Sequence, residues 1–308
     1  MADLTLTRAA ARPAFRRPIQ HLTPYALVAP VVLVLTALLA YPLVIGLYTS
    51  MTNLRVGRWQ AAQFIGLANY TRILGSGDFY HAVQVTATFG AMCIAVEMPL
   101  GLGLALLLNR EIRGIGIYRA ICLIPIMVPN VISALMWRTM MDPQGVLNYL
   151  LGPLGFTKFL WLASTDTVLF ALLLIDIWMM TPQVIIIQLA ALQGIPAEIY
   201  EAATVDGASG WHRFASITAP LILPFFLVSL MIRAIELIQV FDVIFVTTRG
   251  GPGDASKVLH IAAYRDGFVD GYLGSGSAYA FILALIVLLV VVIVARQYLA
   301  AQARASGD

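Results

Sequence analysis

The sequence predicts an all-α, polytopic membrane protein with six transmembrane helices. Three observations carry this prediction. Charged residues make up only 11% of the 308 positions, whereas a soluble domain carries about 25%. The hydrophobic fraction is 60% and the mean hydropathy is +0.86. Six apolar runs each reach the length of about 20 residues that a helix needs to cross a bilayer.

The first run lies within 22–54 and contains no charged residue. It is too long and too proline-punctuated for a cleaved signal peptide, and no small-residue cleavage site follows a short apolar core. The second covers 82–108 and is interrupted only by Glu97. The third covers 118–140, the fourth 168–192 with Asp176 inside, the fifth 219–240 with Arg233 and Glu236, and the sixth 278–298. Pro30, Pro42, Pro99, Pro125, Pro129, Pro182 and Pro224 fall in these runs. Membrane helices tolerate them where neighbouring helices or cavity water satisfy the freed carbonyls. The organisation expected is an N-terminal arm over 1–21, a transmembrane domain over 22–300 and a tail over 301–308.

Lys and Arg near helix ends set orientation. With the N-terminus inside, ten basic residues lie in the cytoplasm and eight outside, with Arg233 in the membrane. The short segments decide: Arg8, Arg12, Arg16 and Arg17 in the arm and Arg110, Arg113 and Arg119 in the 109–119 loop are all inside. Six crossings then leave both termini cytoplasmic, together with the polar interlude 195–219 between the fourth and fifth runs.

That interlude reads as an elbow. Pro196 is tolerated at a helix start, where its missing N–H would be unpaired anyway. Glu198 and Glu201 follow where the positive end of the helix dipole favours carboxylates. Asp206-Gly207 stops the helix, because Gly takes the positive φ of a tight reversal. Ser209 is an N-cap for a second short helix through Trp211 and Phe214. Ala202 and Ala203 would give the first helix a small-residue face where another protein's backbone comes close.

Glu201-Ala202-Ala203, three residues, Gly207, nine residues, then Ile217 and Pro220 resembles the signature loop of the membrane subunits of bacterial ATP-binding-cassette (ABC) importers. One departure is Ala219, where that family usually has Leu. The run Tyr118-Arg119 … Ile124-Pro125-Ile126-Met127-Val128-Pro129, then Trp137, Gly145 and Leu147-Asn148, resembles the carbohydrate-uptake, maltose-type branch. So does Phe241-Asp242 followed by Thr248-Arg249-Gly250-Gly251-Pro252, Tyr264 and Phe268. The resemblance implies the type I ABC importer permease fold and a bacterial inner-membrane location. It implies coupling to an ATPase through Glu198, Glu201, Ala202, Ala203, Asp206 and Gly207. The implied partners are a second homologous permease subunit, two ATPase subunits and a periplasmic or lipid-anchored solute-binding protein, besides membrane lipid. It places solute contacts at Asn130, at Asp176 with Gln183, and at Arg233 with Glu236.

Catalysis on this chain itself is not expected. A phosphate-cradling loop needs Gly-x-x-x-x-Gly-Lys followed by Ser or Thr. The two lysines, Lys158 after Thr157 and Lys257 between Ser256 and Val258, do not fit. ATP and Mg are therefore expected on partner ATPase subunits, with no cofactor on this chain. The net charge of +3 gives no case for nucleic acid. His21, His81, His212 and His260 show no ligand spacing, and Cys93 and Cys122 read as packing residues.

Ionisable side chains at membrane depth cost at least about 2.5 kcal/mol unless they face a partner or a wet cavity. Arg233 and Glu236, three apart on one helix, can pair. They are either a self-neutralising structural pair or part of a path that binds sugar hydroxyls bidentately. Asp176 suits carbohydrate, but Trp178, two positions on, points elsewhere unless Pro182 bends the helix. Glu97 reads as a structural hydrogen-bond hub. The outer segment 246–277, with its Gly-Gly-Pro turn and Tyr264, Phe268 and Tyr272, is either a docking face or a solvated connector.

The function expected is half of the translocation path for a sugar, oligosaccharide or polyol. Alternatives are a phosphorylated polyol such as glycerol 3-phosphate, or an ion-coupled secondary transporter using Asp176, Arg233 and Glu236. Internal repeats, which many secondary transporters have, are not obvious here. Glu201→Lys is expected to abolish solute-stimulated ATPase activity of the assembled importer while leaving membrane insertion intact. Normal uptake by that variant would remove the coupling role.

Overall fold

Local capping signals and apolar length set the helix boundaries in the computed structural model, which describes residues 23–58, 62–155 and 159–306. The N-terminal arm over 1–21 with its four arginines, Lys158 and the last two residues of the tail lie outside the described residues. In chain order the helices are α1 (Thr23–Ser50), α2 (Ala68–Leu74), α3 (Gly77–Leu108), α4 (Ile115–Leu123), α5 (Asn130–Met140) and α6 (Val146–Leu151). There follow α7 (Val168–Gln193), α8 (Ala197–Val205), α9 (Gly210–Arg213), α10 (Ala219–Ile238), α11 (Asp242–Thr247), α12 (Leu259–Tyr264) and α13 (Leu273–Ser306). Among the described residues there is no strand, only a single bridge between Thr52 and Phe64.

Five helical stretches are long and apolar enough to cross a membrane: Leu27–Ser50, Gly77–Leu108, Val168–Gln193, Gly210–Thr247 and Leu273–Ala300. The sixth expected crossing is a bent pair, Ile115–Met127 and Asn130–Met140, at 94° to each other. Pro125 tightens the chain into a 3₁₀ turn over Ile124–Met127, and Pro129 caps α5 with φ −56° and ψ 139°. Such an extended pre-helical residue cannot continue α4. The third run is therefore one span only if the bend is counted inside it.

The chain divides at Tyr48–Thr49 into two units. In the first, α1 contains Pro30 and Pro42 and no charged residue. In the second, α3 and α7 form the central pair, and α10 packs on both and on α13. Ser76 caps α3 by accepting from the Phe79 amide at 3.2 Å, and Arg119 donates to the Leu108 carbonyl at its far end at 2.8 Å. Phe89, Leu172, Ile175, Met179 and Ile244 are buried in one core.

Between helices in lipid the hydrophobic effect gives little, and close approach of small residues supplies the contact. Gly101 of α3 is such a point: a Cβ there would lie 2.5 Å from Val184 Cγ1 of α7. Gly101→Val is accordingly expected to force α3 and α7 apart, costing about 1–3 kcal/mol. Recovery of folded protein in detergent should fall and its melting temperature should drop, whereas Gly103→Ala, which meets open space, should change neither.

Candidate functional site

The charges at membrane depth converge on one guanidinium. Arg233 on α10 is 2% exposed. Its Nε donates to Glu97 Oε2 of α3 at 2.8 Å, its Nη2 to Asp176 Oδ2 of α7 at 2.6 Å, and its Nη1 to Glu236 Oε2 at 2.7 Å. The i,i+3 pair expected from sequence is present, but it is one arm of a three-armed cluster. Glu97 is fully buried, but it is not the hydrogen-bond hub its isolation in an apolar run suggested: it accepts one bond, from Arg233, and its Oε1 has no partner among the described residues. Gln183 joins by donating from Nε2 to Glu236 Oε1 at 2.9 Å, and Gln188 to Ser229 at 2.7 Å makes a second polar bridge between α7 and α10.

A cavity of about 410 Å³ opens beside this cluster, lined by Asn130, Asp176, Arg233 and Glu236 together with Phe241, Asp242 and His260. Asn130 reaches it because the Val128–Pro129 break starts α5 there. Glu236 has 39% of its side chain exposed, so it presents carboxylate to the cavity while Arg233 stays enclosed. Trp178 packs on Trp137 at 5.9 Å between ring centroids and is absent from the lining; α7 continues as one helix through Pro182. Positions two apart on an intact helix face different ways. His260, whose Nδ1 lies 2.9 Å from the Gln239 carbonyl, escaped sequence reasoning, as did Asp242. Asp242 lies two positions past the apolar run, which was its only signal, and His260, 20 positions past it, had none.

Cys93, Glu97 and Asp176 have ligand-type atoms within 4.8 Å of one another. A metal ion there would have to displace or sit against the Arg233 cation, which already takes one oxygen of each carboxylate. The cluster is therefore poorly matched to a cation and well matched to its own guanidinium.

The elbow forms as its local signals direct, with two corrections. Helix α8 begins after Pro196 and ends at Asp206. Gly207 has φ +74°, its amide donates to Thr204 O at 3.1 Å, and the Ala208 amide donates to Ala203 O at 2.9 Å. This pair of bonds satisfies the last carbonyls and fixes the turn. Ser209 caps α9 by accepting from the His212 amide at 3.2 Å. The first correction concerns α9, which is not a separate short helix: it runs through a π-helical turn, Phe214–Thr218, into α10. Pro220 cannot donate to a carbonyl one turn back, and the wider turn absorbs that gap. The second concerns Ala203, which is buried within the fold at 8% exposure and does not share an outer face with Ala202. The outward side of the elbow carries Glu198, Glu201, Ala202 and Asp206 with Val205 and Trp211, exposed by 87% and 76%. Arg213 braces it by donating to Thr204 Oγ1 at 3.0 Å.

Residues 97–305 match the family described as "Binding-protein-dependent transport system inner membrane component". The chain is similar to the trehalose/maltose transport system permease protein MalF of Thermococcus litoralis, with 41% identity over 226 residues, 73% of this chain and 76% of that protein. It is also similar to the sn-glycerol-3-phosphate transport system permease protein UgpA of Agrobacterium fabrum, with 32% identity over 269 residues, 86% of this chain and 90% of that one. Among solved structures, a chain of a bacterial ABC transporter involved in import of the acidic polysaccharide alginate superposes with a TM-score of 0.78 at 25% identity, covering 91% of this chain and 96% of that chain.

Removing the buried guanidinium leaves three carboxylates without their common partner. Breaking one side of a buried ion pair costs about 3–5 kcal/mol, so Arg233→Met is expected to prevent recovery of folded protein. Glu236→Gln, at the exposed arm, should retain folding. Equal yields of Arg233→Met and wild type in a fluorescence-detected size-exclusion assay would show that the cluster is not structural.

Proposed function

This chain belongs to the family of binding-protein-dependent inner-membrane transport components, and we propose that it forms half of the path by which a neutral, polyhydroxylated solute, a sugar, oligosaccharide or polyol, enters the cell. The observation that carries the choice of solute is the state of Arg233. Its Nε, Nη1 and Nη2 each bond a carboxylate, so among the described residues no unpaired Lys or Arg lines the cavity. What does face it are acceptors and amides, Glu236 and Asn130, with the Phe241 ring beside them. Carboxylates accept hydroxyl protons, and aromatic rings offer an apolar face to the C–H side of a sugar. A phosphate would meet negative oxygens here, which favours a saccharide over glycerol 3-phosphate. The similarity to a trehalose/maltose transport permease supports the same class.

A path bounded on one side by these helices calls for a second homologous membrane subunit. Two ATPase subunits would bind the elbows of the pair, holding the ATP and Mg, and a periplasmic or lipid-anchored binding protein would deliver solute. The termini and the elbow are then cytoplasmic, as the arginines of the 109–119 loop support. Closure of the ATPase pair would draw the elbows together. Because α9 continues into α10, that movement would turn the helix carrying Arg233 and Glu236, exchanging inward and outward access to the cavity.

The test is made on the assembly. Copurification with an ATPase, and a thermal shift of the binding protein by saccharides in a panel of sugars, amino acids, peptides and glycerol 3-phosphate, are the results expected. In proteoliposomes, Glu236→Ala should raise KM for uptake at least about tenfold, about 1.4 kcal/mol, with the complex still assembled. A binding protein stabilised by amino acids or peptides would overturn the solute class, and an assembly lacking any ATPase would overturn the importer reading.

A further inference from the structure

Past the end of α10 lies a second, open cavity of about 860 Å³, lined by Phe245, Thr248, Arg249, Asp254, Tyr264 and Arg265 among others. Both this cavity and the one beside Arg233 fall within the ~300–1,000 Å³ of small-molecule sites. The elbow precedes α10, and the 20 residues of that helix rise by about 30 Å. The second cavity is therefore at the opposite end, which on the reading above is the outer one.

Aromatic rings that touch one another line both cavities. Phe241 lines the inner cavity, and Phe245 and Tyr264 line the outer. Phe241 and Phe245 stack at 5.0 Å with their planes 15° apart, while Tyr264 lies 5.2 Å from Phe241 and 5.0 Å from Phe245. One set of contacting rings thus offers apolar surface to both cavities.

The polar groups of the outer cavity are held in place before any ligand arrives. Asp254 accepts from Arg265 Nη1 at 2.7 Å and from Lys257 Nζ at 2.7 Å. Lys257 is buried and also bonds Asp78 of α3, and His81 of α3 lies 3.0 Å from the Asp254 carbonyl. The Lys257 hydrogen bond holds the Asp254 carboxyl below the usual carboxylate range. Its contribution is therefore present above the ordinary aspartate pKa and lost only as the pH falls through the lowered value. Arg249, by contrast, makes no ion pair among the described residues. It is held at φ +54°, with its amide donating to Ile244 O at 2.8 Å, and its guanidinium lies 6.0 Å from the Phe245 centroid. A non-glycine residue in that conformation is uncommon, and the side chain it carries places a planar donor beside an aromatic ring at the cavity wall.

Two planar cationic forks, one fixed carboxylate and two aromatic rings are the groups that bind vicinal hydroxyls bidentately and stack on a pyranose. We infer that the outer cavity is a second saccharide subsite, joined to the first by these contacting rings, so that a solute of two or more rings engages both and a one-ring solute engages only one. This rests on the importer reading and narrows its solute from any polyol to an oligosaccharide.

Uptake into proteoliposomes by the full complex tests it, with glucose, maltose and maltotriose as the panel, or the one-, two- and three-ring series that the binding protein retains. Arg249→Gln and Tyr264→Ala should raise KM for two- and three-ring solutes at least about fivefold and change it less than about twofold for one ring. Assembly of each variant is checked by coelution with the ATPase. Unchanged KM for every solute in Arg249→Gln, or an equal rise at all lengths in both variants, would overturn the subsite and leave the importer reading standing. A wild-type complex that takes up no saccharide overturns both.

Discussion

A single buried guanidinium organises the membrane interior of this protein. Arg233 draws Glu97 from α3, Asp176 from α7 and Glu236 from its own helix to within hydrogen-bonding distance. In water three such helices would be gathered by burial of apolar surface. Within lipid that gain is nearly absent, and a charge at depth is tolerated only when it is answered. The cluster therefore gives α3, α7 and α10 one mutual arrangement, and the close seat of Gly101 against Val184 fits the same pair of helices together at a different level. The chemistry of the neighbouring cavity follows. Its cation is enclosed, and its exposed edge is made of oxygen acceptors and amide.

The hairpin of α7 and α10 joins the two ends of the molecule that have chemical character. At one end is the elbow, stiffened by the Gly207 reversal and the Ser209 cap. At the other is the aromatic cluster with the Asp254–Lys257–Asp78 network behind it. Two side-chain bridges, Gln183 to Glu236 and Gln188 to Ser229, tie the helices between these ends. Gln188 and Ser229 are buried, so this tie is made where no solvent competes for it.

What the sequence disclosed divides by range. Features written in consecutive residues were legible: the apolar lengths, the Pro196 start, the Asp206-Gly207 stop, the Ser209 cap and the three-residue spacing of Arg233 and Glu236. Glu97 lies 136 positions from Arg233 and Asp176 lies 57 away, and no periodicity links them. Their meeting follows from helix packing. Pro125 and Pro129 were visible in the third run, but the 94° turn between its halves was not, since the angle depends on what α5 packs against. Ala202 and Ala203 are identical in type, so composition could not say that only the second is buried. His260 and the outer cavity depend on how the 248–269 segment packs against α3 and α13, which no local pattern records.

The π-helical turn at Phe214–Thr218 also sets an angular phase. An α-helix advances about 100° per residue, and a π turn accommodates one residue more than the regular spiral would. Everything beyond it is thereby rotated about its own axis by roughly that amount relative to α9. At this phase Arg233 meets Glu97 and Asp176. The small irregularity beside the elbow thus serves as an indexing notch, deciding which azimuth of the long rod looks toward the polar heart of the protein and which toward the hydrocarbon.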